Sequence, residues 1–353
     1  MPNIQVFSVS EQIATHLRNE ILAGRLQGLM PGRNELATQL GFNGKTVDAA
    51  LKLLEGEGLL VGQGAGRKRR IVRPRGASPA LRLAILDYEP LGETDAMTIQ
   101  MRQMLAEAGH SPFFTQRSLL DLKMDVQRVA KLVRETEADA WLVCSASREV
   151  LEWFAGQERP TFALFGRRKD LPIAGIGPDH VSADREAARR LIELGHQRIV
   201  VLLRSNQRTG GLGPAQRVIF EEMRAHGLPV GSYNLPDWED SPEGFHRVLD
   251  ELFHLTPPTA LIVDEPFLFH AAKDHIARLG FLAPERVSLI CTDPDPTFDW
   301  IEPSIAHIRW DHRPVQQRVM RWAKNIARGK DDREQSFTKA EFIDGGTVGP
   351  APR

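Results

Sequence analysis

Six basic side chains, Arg67, Lys68, Arg69, Arg70, Arg73 and Arg75, fall within nine consecutive positions, and no acid interrupts them. A run of this kind beside a folded unit is the electrostatic footprint of a phosphate backbone, although a solvated linker can show the same composition. Upstream stand Arg33, Asn43, Lys45, Thr46 and Lys52, whose side chains can donate to phosphates and base edges. Farther along, Asp179 precedes His180 and Asp293 lies two positions before Asp295. Either pair can be read as an acid–base couple, but no nucleophile, base and orienting group accompany it, so an enzyme is not expected. No glycine-rich phosphate loop follows an apolar strand, and no nucleotide cofactor is implied. Histidines 246, 254, 270, 275, 307 and 312 have no recognised ligand spacing, and the sequence implies no metal.

The 353 residues carry a formal charge of −1, which conceals an asymmetry. Residues 1–75 hold 11 Lys/Arg against 6 Asp/Glu, whereas the remaining 278 hold 34 against 40. A basic end on an acidic body suggests separate domains, as the length does. The two cysteines, Cys144 and Cys291, sit inside apolar runs and imply neither a disulfide scaffold nor a zinc site. No charged start followed by an apolar core opens the chain, and no run approaches the ~18 apolar residues of a membrane span. A cytoplasmic protein is expected.

Helical spacing organises the basic end. Ser8 and Glu11 are placed for a capping box, and Ile13, Leu17 and Ile21 form one stripe that Gly24 should close. Pro31-Gly32 leads into a second helix carrying Leu36, Ala37 and Leu40. A third begins near Asn43 or Gly44 and buries Val47, Ala50, Leu51 and Leu54. The segment "LLVGQGAGRKRRIV" then reads as two short strands around a glycine-rich tip. Three helices and a hairpin make a winged helix-turn-helix, in which the third helix faces base edges and the wing supplies arginines to the backbone.

From Val6 to about Val72 the chain resembles the winged-helix domain of the GntR family of bacterial transcription regulators. "IATHLRNEILAGRL" is similar to that family's first helix, "MPGRNELATQLG" to its second, "KTVDAALKLLEGEGLL" to its third and "GQGAG" to its wing tip. The resemblance implies DNA-binding roles for Arg33, Asn43, Lys45, Thr46, Lys52, Arg67, Lys68, Arg69 and Arg70. Three places depart from the pattern: Gly32 stands for the usual Ser, Asn43-Gly44 for Ser-Arg, and Asp48 for Arg. Two DNA-facing arginines are thereby missing. The basic run 67–70 can compensate; a head that has weakened or lost DNA binding is the alternative.

Residues 74–80 read as a linker, and residues 81–350 as a second, larger domain behind a head of residues 1–73. Apolar runs alternate with amphipathic stretches: "LRLAIL", "DAWLVCS", "TFALFG", "RIVVLL", "TALIVDE" and "RVSLICTD" are strand-like, with helices between them. This β-α rhythm predicts mostly parallel sheets. The region resembles the effector-binding part of LacI-type regulators, through "GPDHVSADREAARRLIELGHQRIVVL" above all, and through "APERVSLICTDPDP", "HIRWDH" and "GGTVGP". The resemblance implies a two-lobed α/β fold of the periplasmic-binding-protein kind with a ligand in the cleft.

On this resemblance Asp179, Arg217, Glu265 and Asp293 become effector-binding candidates, and Trp238 or Trp300 can stack on the apolar face of a sugar. Glu265-Pro266 and Pro294 replace the family's usual residues. Plainer roles compete: Asp179 can cap the next helix, Arg217 can form a surface ion pair, Glu265 can stand exposed, and Trp238 can be loop packing. A GntR-like head on a LacI-like body is similar to bacterial arabinose-type repressors. It implies a homodimeric repressor whose affinity for a double-stranded operator is changed by a small molecule, a sugar or derivative. The outer surface near Ser111–Leu122 is a candidate for helices of the dimer interface. A cytoplasmic sugar-binding protein with a degenerate head is the alternative function.

Overall fold

The capping box and apolar stripes of the first sixty residues fold as their spacing predicts. In the computed structural model, the described residues are 8–22, 25–26, 28–64, 66–72, 79–90, 95–208 and 211–352. Gly24, Arg73, Arg75 and most of the segment read as a linker lie outside them. The chain divides into two units. One comprises Met1–Cys144, Ala155–Phe162 and Arg318–Arg333; the other comprises Ser145–Phe154, Ala163–Gln317 and Glu334–Arg353.

The first unit opens with α1 (Val9–Leu22), α2 (Arg33–Leu40), α3 (Gly44–Gly56) and the antiparallel pair β1 (Leu60–Val61) and β2 (Arg70–Ile71). Ser8 and Glu11 bond reciprocally, Ser8 N to Glu11 Oε2 at 2.6 Å and Glu11 N to Ser8 Oγ at 3.3 Å. Ile13, Leu17 and Ile21 of α1 meet Leu36 of α2 and Val47, Leu51 and Leu54 of α3 in one core. Gly41 ends α2 at φ 73°, a left-handed position that costs glycine nothing. The wing is tied back to the segment before α2, where Met30 N donates to Arg69 O at 2.8 Å.

The same unit continues with β3 (Arg82–Leu86), α4 (Ala96–Glu107), β4 (Ser111–Phe114), α5 (Val126–Glu135) and β5 (Ala140–Cys144). These strands are parallel in the order β4-β3-β5. Ser111–Phe114, read as part of an outer helical surface, is thus a strand. α6 (Arg148–Ala155) and β6 (Thr161–Leu164) fall on the division between the units.

The second unit holds β7 (Ala174–Asp179), α7 (Val181–Glu193), β8 (Ile199–Leu202), α8 (Ser205–Arg208), α9 (Pro214–Ala225), α10 (Pro242–Leu255), β9 (Ala260–Val263), α11 (Pro266–Arg278), β10 (Ser288–Cys291), β11 (Ala306–Trp310) and β12 (Gln335–Ile343). α12 (His312–Ala327) starts here and ends in the first unit. The strand order is β7-β12-β11-β10-β9-β8. β8 to β11 are parallel; β12 runs antiparallel to β11 and parallel to β7. Every residue of β8, β9 and β10 is buried, as continuous apolar runs covered on both faces must be. Both cysteines are free and buried.

Within the first unit, Arg318 is wholly buried and paired with Asp332 at 2.6 Å, while Asn325 also donates to Asp332 at 2.8 Å. The guanidinium lies 5.4 Å over the Phe162 ring, whose centroid is 5.2 Å from that of Trp322. Arg318→Met strands a buried carboxylate, and urea unfolding should show a loss of about 3–5 kcal/mol.

Candidate functional site

Two groups of functional side chains emerge, one on the helical head and one at the strand ends of the second unit. On the head, five of the six acids in residues 1–75 are ion-paired: Glu20 with Arg25, Glu57 with Arg18, Glu35 with Lys68 at 3.3 Å, and Asp48 and Glu55 with Arg69. Lys52 also reaches Asp48, at 3.3 Å. Although partial burial opposes it, Lys52 and Arg69 hold the Asp48 carboxyl below its usual range. Lys68, followed by the Gly32 amide, does the same to Glu35. Of the proposed DNA contacts, Lys52, Lys68 and Arg69 are therefore engaged with acids.

Arg33, Lys45, Arg67 and Arg70 are exposed and have no acidic partner among the described residues. Arg33 lies along the start of α3, its Nε 3.6 Å from where a Cβ on Gly44 would stand. Asn43 is the N-cap of α3: its Oδ1 accepts from Thr46 N and Thr46 Oγ1, each at 2.9 Å. Asn43 and Thr46 thus complete the helix terminus and occupy each other. With Lys45 exposed beside them, the N-termini of α2 and α3 and the wing carry the uncompensated charge. That surface suits a phosphate backbone.

In the second unit the geometry follows from the parallel sheet. Chain segments leaving β8, β9 and β10 emerge at one edge, so Arg204, Asp264 and Asp293 arrive together. Arg204, with its side chain 5% exposed, pairs through Nε with Asp240 at 3.1 Å and through Nη1 with Glu265 at 3.2 Å. Its guanidinium lies 5.2 Å over the Phe267 ring. Asp264 accepts from Thr292 Oγ1 at 3.1 Å and from Gln207 Nε2 at 3.2 Å. Gln216 Nε2 in turn donates to Gln207 Oε1 at 2.7 Å. Asp293 accepts from Trp310 Nε1 at 2.9 Å.

The carboxylates strain against burial. Loss of solvent, reinforced by the charge of Asp293, pushes Asp264 up to about 6. Burial pushes Asp293 up to about 6 as well, against the hydrogen bonds from Trp310 and Thr292. Asp184, in the first turn of α7, is 3% exposed, and its Oδ1 has no hydrogen-bond partner among the described residues. Burial, then the neighbouring Asp293 and Asp264, raise it well above the carboxylate range. Burial lowers His180 to about 4, although Asp264 and Asp179 pull it upward. Fixed acceptors, protonated carboxyls and a held guanidinium form a set that can exchange hydrogen bonds with hydroxyl groups.

The candidates read from sequence are distributed as follows. Asp293 and Glu265 belong to this cluster; Glu265 is held by Arg204 at φ 61° in the N-cap position of α11. Asp179 accepts from Val181 N at 3.2 Å, at the entrance to α7, in the capping role that its rival reading assigned. Arg217 is exposed on α9, close enough to Arg167 for its charge, after burial, to help depress that guanidinium. Trp238 is 7% exposed and packs on Phe245 at 5.0 Å, inside the core rather than facing a ligand. Trp300 is 89% exposed. Arg204, Asp240, Asp264 and Asp184 escaped the sequence reading. The signal for the first and third was a charged residue placed directly behind an apolar run, in "VVLLR" and "LIVDE".

Residues 9–66 match the gntR family of bacterial regulatory proteins, and residues 188–348 match the periplasmic binding protein-like domain. The two matched segments stand in the order of a gntR-type head followed by a periplasmic-binding-protein-like domain. Among solved structures it is similar to a lac repressor dimer bound to operator and the anti-inducer ONPF, with 15% identity, TM-score 0.61, and 79% of this chain and 99% of that one covered. A LacI family transcriptional regulator from Enterococcus faecium with bound ribose is 17% identical, with TM-score 0.59 and coverage of 76% and 98%. A transcriptional regulator from Yersinia pestis biovar Microtus str. 91001 is 23% identical, with TM-score 0.60 and coverage of 77% and 98%. At these identities the likeness is one of fold. No curated protein matches the sequence.

The raised carboxyls set a pH test. A folded-state value above the unfolded one means stability that is fully present at low pH and lost as pH rises through about 6. Asp293→Asn removes that loss and keeps an acceptor for Trp310. Its stability relative to the parent should rise by about 2 kcal/mol between pH 4.5 and 7.5, as measured by urea unfolding at each pH.

Proposed function

We propose that this ligand-responsive DNA-binding regulator is a homodimeric cytoplasmic repressor. In this reading a small polyol, a sugar or derivative, binds at the strand ends of the second unit and changes operator affinity. The observation that carries the ligand reading is the cluster of Arg204, Asp264 and Asp293 where β8, β9 and β10 end. Carboxylate and guanidinium groups on rigid strand ends, Glu265 among them, match the hydroxyls of a polyol. Bound ribose in the Enterococcus faecium regulator and bound operator in the lac repressor dimer support the same pairing of ligand and DNA here. Two DNA heads joined in a dimer would read a twofold site. Binding without turnover is the role this reading assigns to the carboxylates.

The pairing of Lys52, Lys68 and Arg69 with acids favours one rival, a sugar-binding protein whose head no longer reads DNA. Selection of genomic fragments by the purified protein, followed by titration of the best fragment at two salt concentrations, separates the two. A regulator selects a palindromic site, and raising salt from 50 to 200 mM weakens binding by roughly 10²-fold or more. Uniformly weak, sequence-indifferent binding, unchanged by pentoses and hexoses, contradicts the proposal.

A further inference from the structure

Asp48, Lys52 and Glu55 stand at i, i+4 and i+7 on α3 and so line one stripe of the helix. Arg69 reaches this stripe from the wing. Its Nη2 lies 3.2 Å from Asp48 and its Nε 2.9 Å from Glu55, and the three side chains are only 21–29% exposed. Lys52 bonds the other oxygen of Asp48 at 3.3 Å, and Glu35 on α2 holds Lys68 from the same wing. The cations on this side of the head are thus already spent on the protein's own carboxylates.

We infer that Asp48 and Glu55 are specificity determinants of the DNA-binding head: they withhold Lys52 and Arg69 from phosphate and so suppress sequence-indifferent binding. Resting on the reading of this chain as a DNA-binding regulator, the inference assigns the two acids a role within it. Phosphate contacts attract every sequence equally, whereas base-edge contacts discriminate. A head that neutralises part of its own charge lowers the first contribution and leaves the second, at the N-terminus of α3, untouched. The arrangement also fixes the wing against α3, because one guanidinium bridges β2's flank and two turns of the helix. Arg69 is a positioning residue here, while Arg67 and Arg70 remain available for the backbone. A phosphate that captured Arg69 would take the cation from the partly buried Glu55 and leave Asp48 to Lys52 alone, which opposes the exchange.

The test uses full-length protein and a random-sequence 20-base-pair duplex, titrated by fluorescence anisotropy across a salt series. Asp48→Asn/Glu55→Gln should bind this duplex at least roughly tenfold tighter at 0.1 M salt. Its log–log salt slope should steepen by about 0.9 for each of Lys52 and Arg69 released. Arg69→Gln should leave the slope unchanged, and Asp48→Asn alone should steepen it by about half as much as the double variant. A double variant with unaltered slope and affinity overturns the inference, as does a loss of about 0.9 in slope on Arg69→Gln, since Arg69 would then already be a phosphate ligand. Thermal melting of each variant accompanies the titration, so that a weaker-binding variant that has lost its fold is recognised and Asp48→Asn alone decides. Failure of the regulator reading shows separately, as parent protein that binds its best genomic fragment no better than the random duplex.

Discussion

The end of β9 sets the geometry of the second unit's candidate site. There the backbone delivers Asp264 into a position that solvent scarcely reaches, between the segments leaving β8 and β10. Its carboxylate must be satisfied locally, and it is, by Thr292 from one neighbour and Gln207 from the other. Arg204, two residues beyond β8, cannot leave this corner either, because Asp240 and Glu265 hold it while Phe267 covers one face. A parallel sheet makes this crowding unavoidable: strands that run together end together, and whatever follows them shares one edge. Burial raises the carboxyls of Asp293 and Asp184, and for Asp184 the charges of Asp293 and Asp264 add to it.

In the proposed reading this corner is where the ligand acts. Burial holds the Asp264 and Asp293 carboxyls up at about 6, and one carboxyl oxygen of Asp184 lacks a partner among the described residues. A hydroxyl donor placed there can stabilise an ionised carboxylate that the empty site disfavours. The resulting shift in the balance of states is bounded by the ligand's differential affinity for them. The head works on a contrasting principle. Five of its six acids are ion-paired, so its excess positive charge is concentrated on Arg33, Lys45, Arg67 and Arg70 among the described residues. A chain almost neutral overall can therefore still present a cationic surface to DNA.

Much of the architecture was legible because burial writes itself into pattern. "RIVVLL", "TALIV" and "VSLIC" read as strands since buried parallel strands are apolar throughout, and the three head helices declared themselves through stripes and caps. β4 was missed because "SPFF" is short, carries a proline and has no fully buried position. β12 was missed because "QSFTKAEFI" mixes polar and apolar residues, and only Thr338 and Ala340 are buried. The site was legible in part, through Asp293 and Glu265, acids placed just behind apolar runs. Arg204 was not, since its partner Glu265 is 61 positions away and only the fold joins them. Trp238 misled for a related reason. A tryptophan flanked by Asp237 and Glu239 looks exposed, yet Phe245 receives its ring from the next helix. Asn43 showed the limit of local reading, because a residue suited to a base edge is equally suited to cap a helix, and here it caps.

Reciprocal coupling tests the central claim most directly. A small molecule that changes operator affinity by some factor must have its own affinity changed by the same factor when operator is bound. Calorimetric titration of the tightest-binding pentose or hexose into the protein, free and saturated with its selected operator, measures that factor without assumptions about mechanism. The account predicts sugar affinities that differ by roughly 5- to 150-fold between the two titrations, and that are abolished together by Asp264→Ala. Equal affinities in the presence and absence of operator would mean that the site and the head do not communicate, and would contradict it.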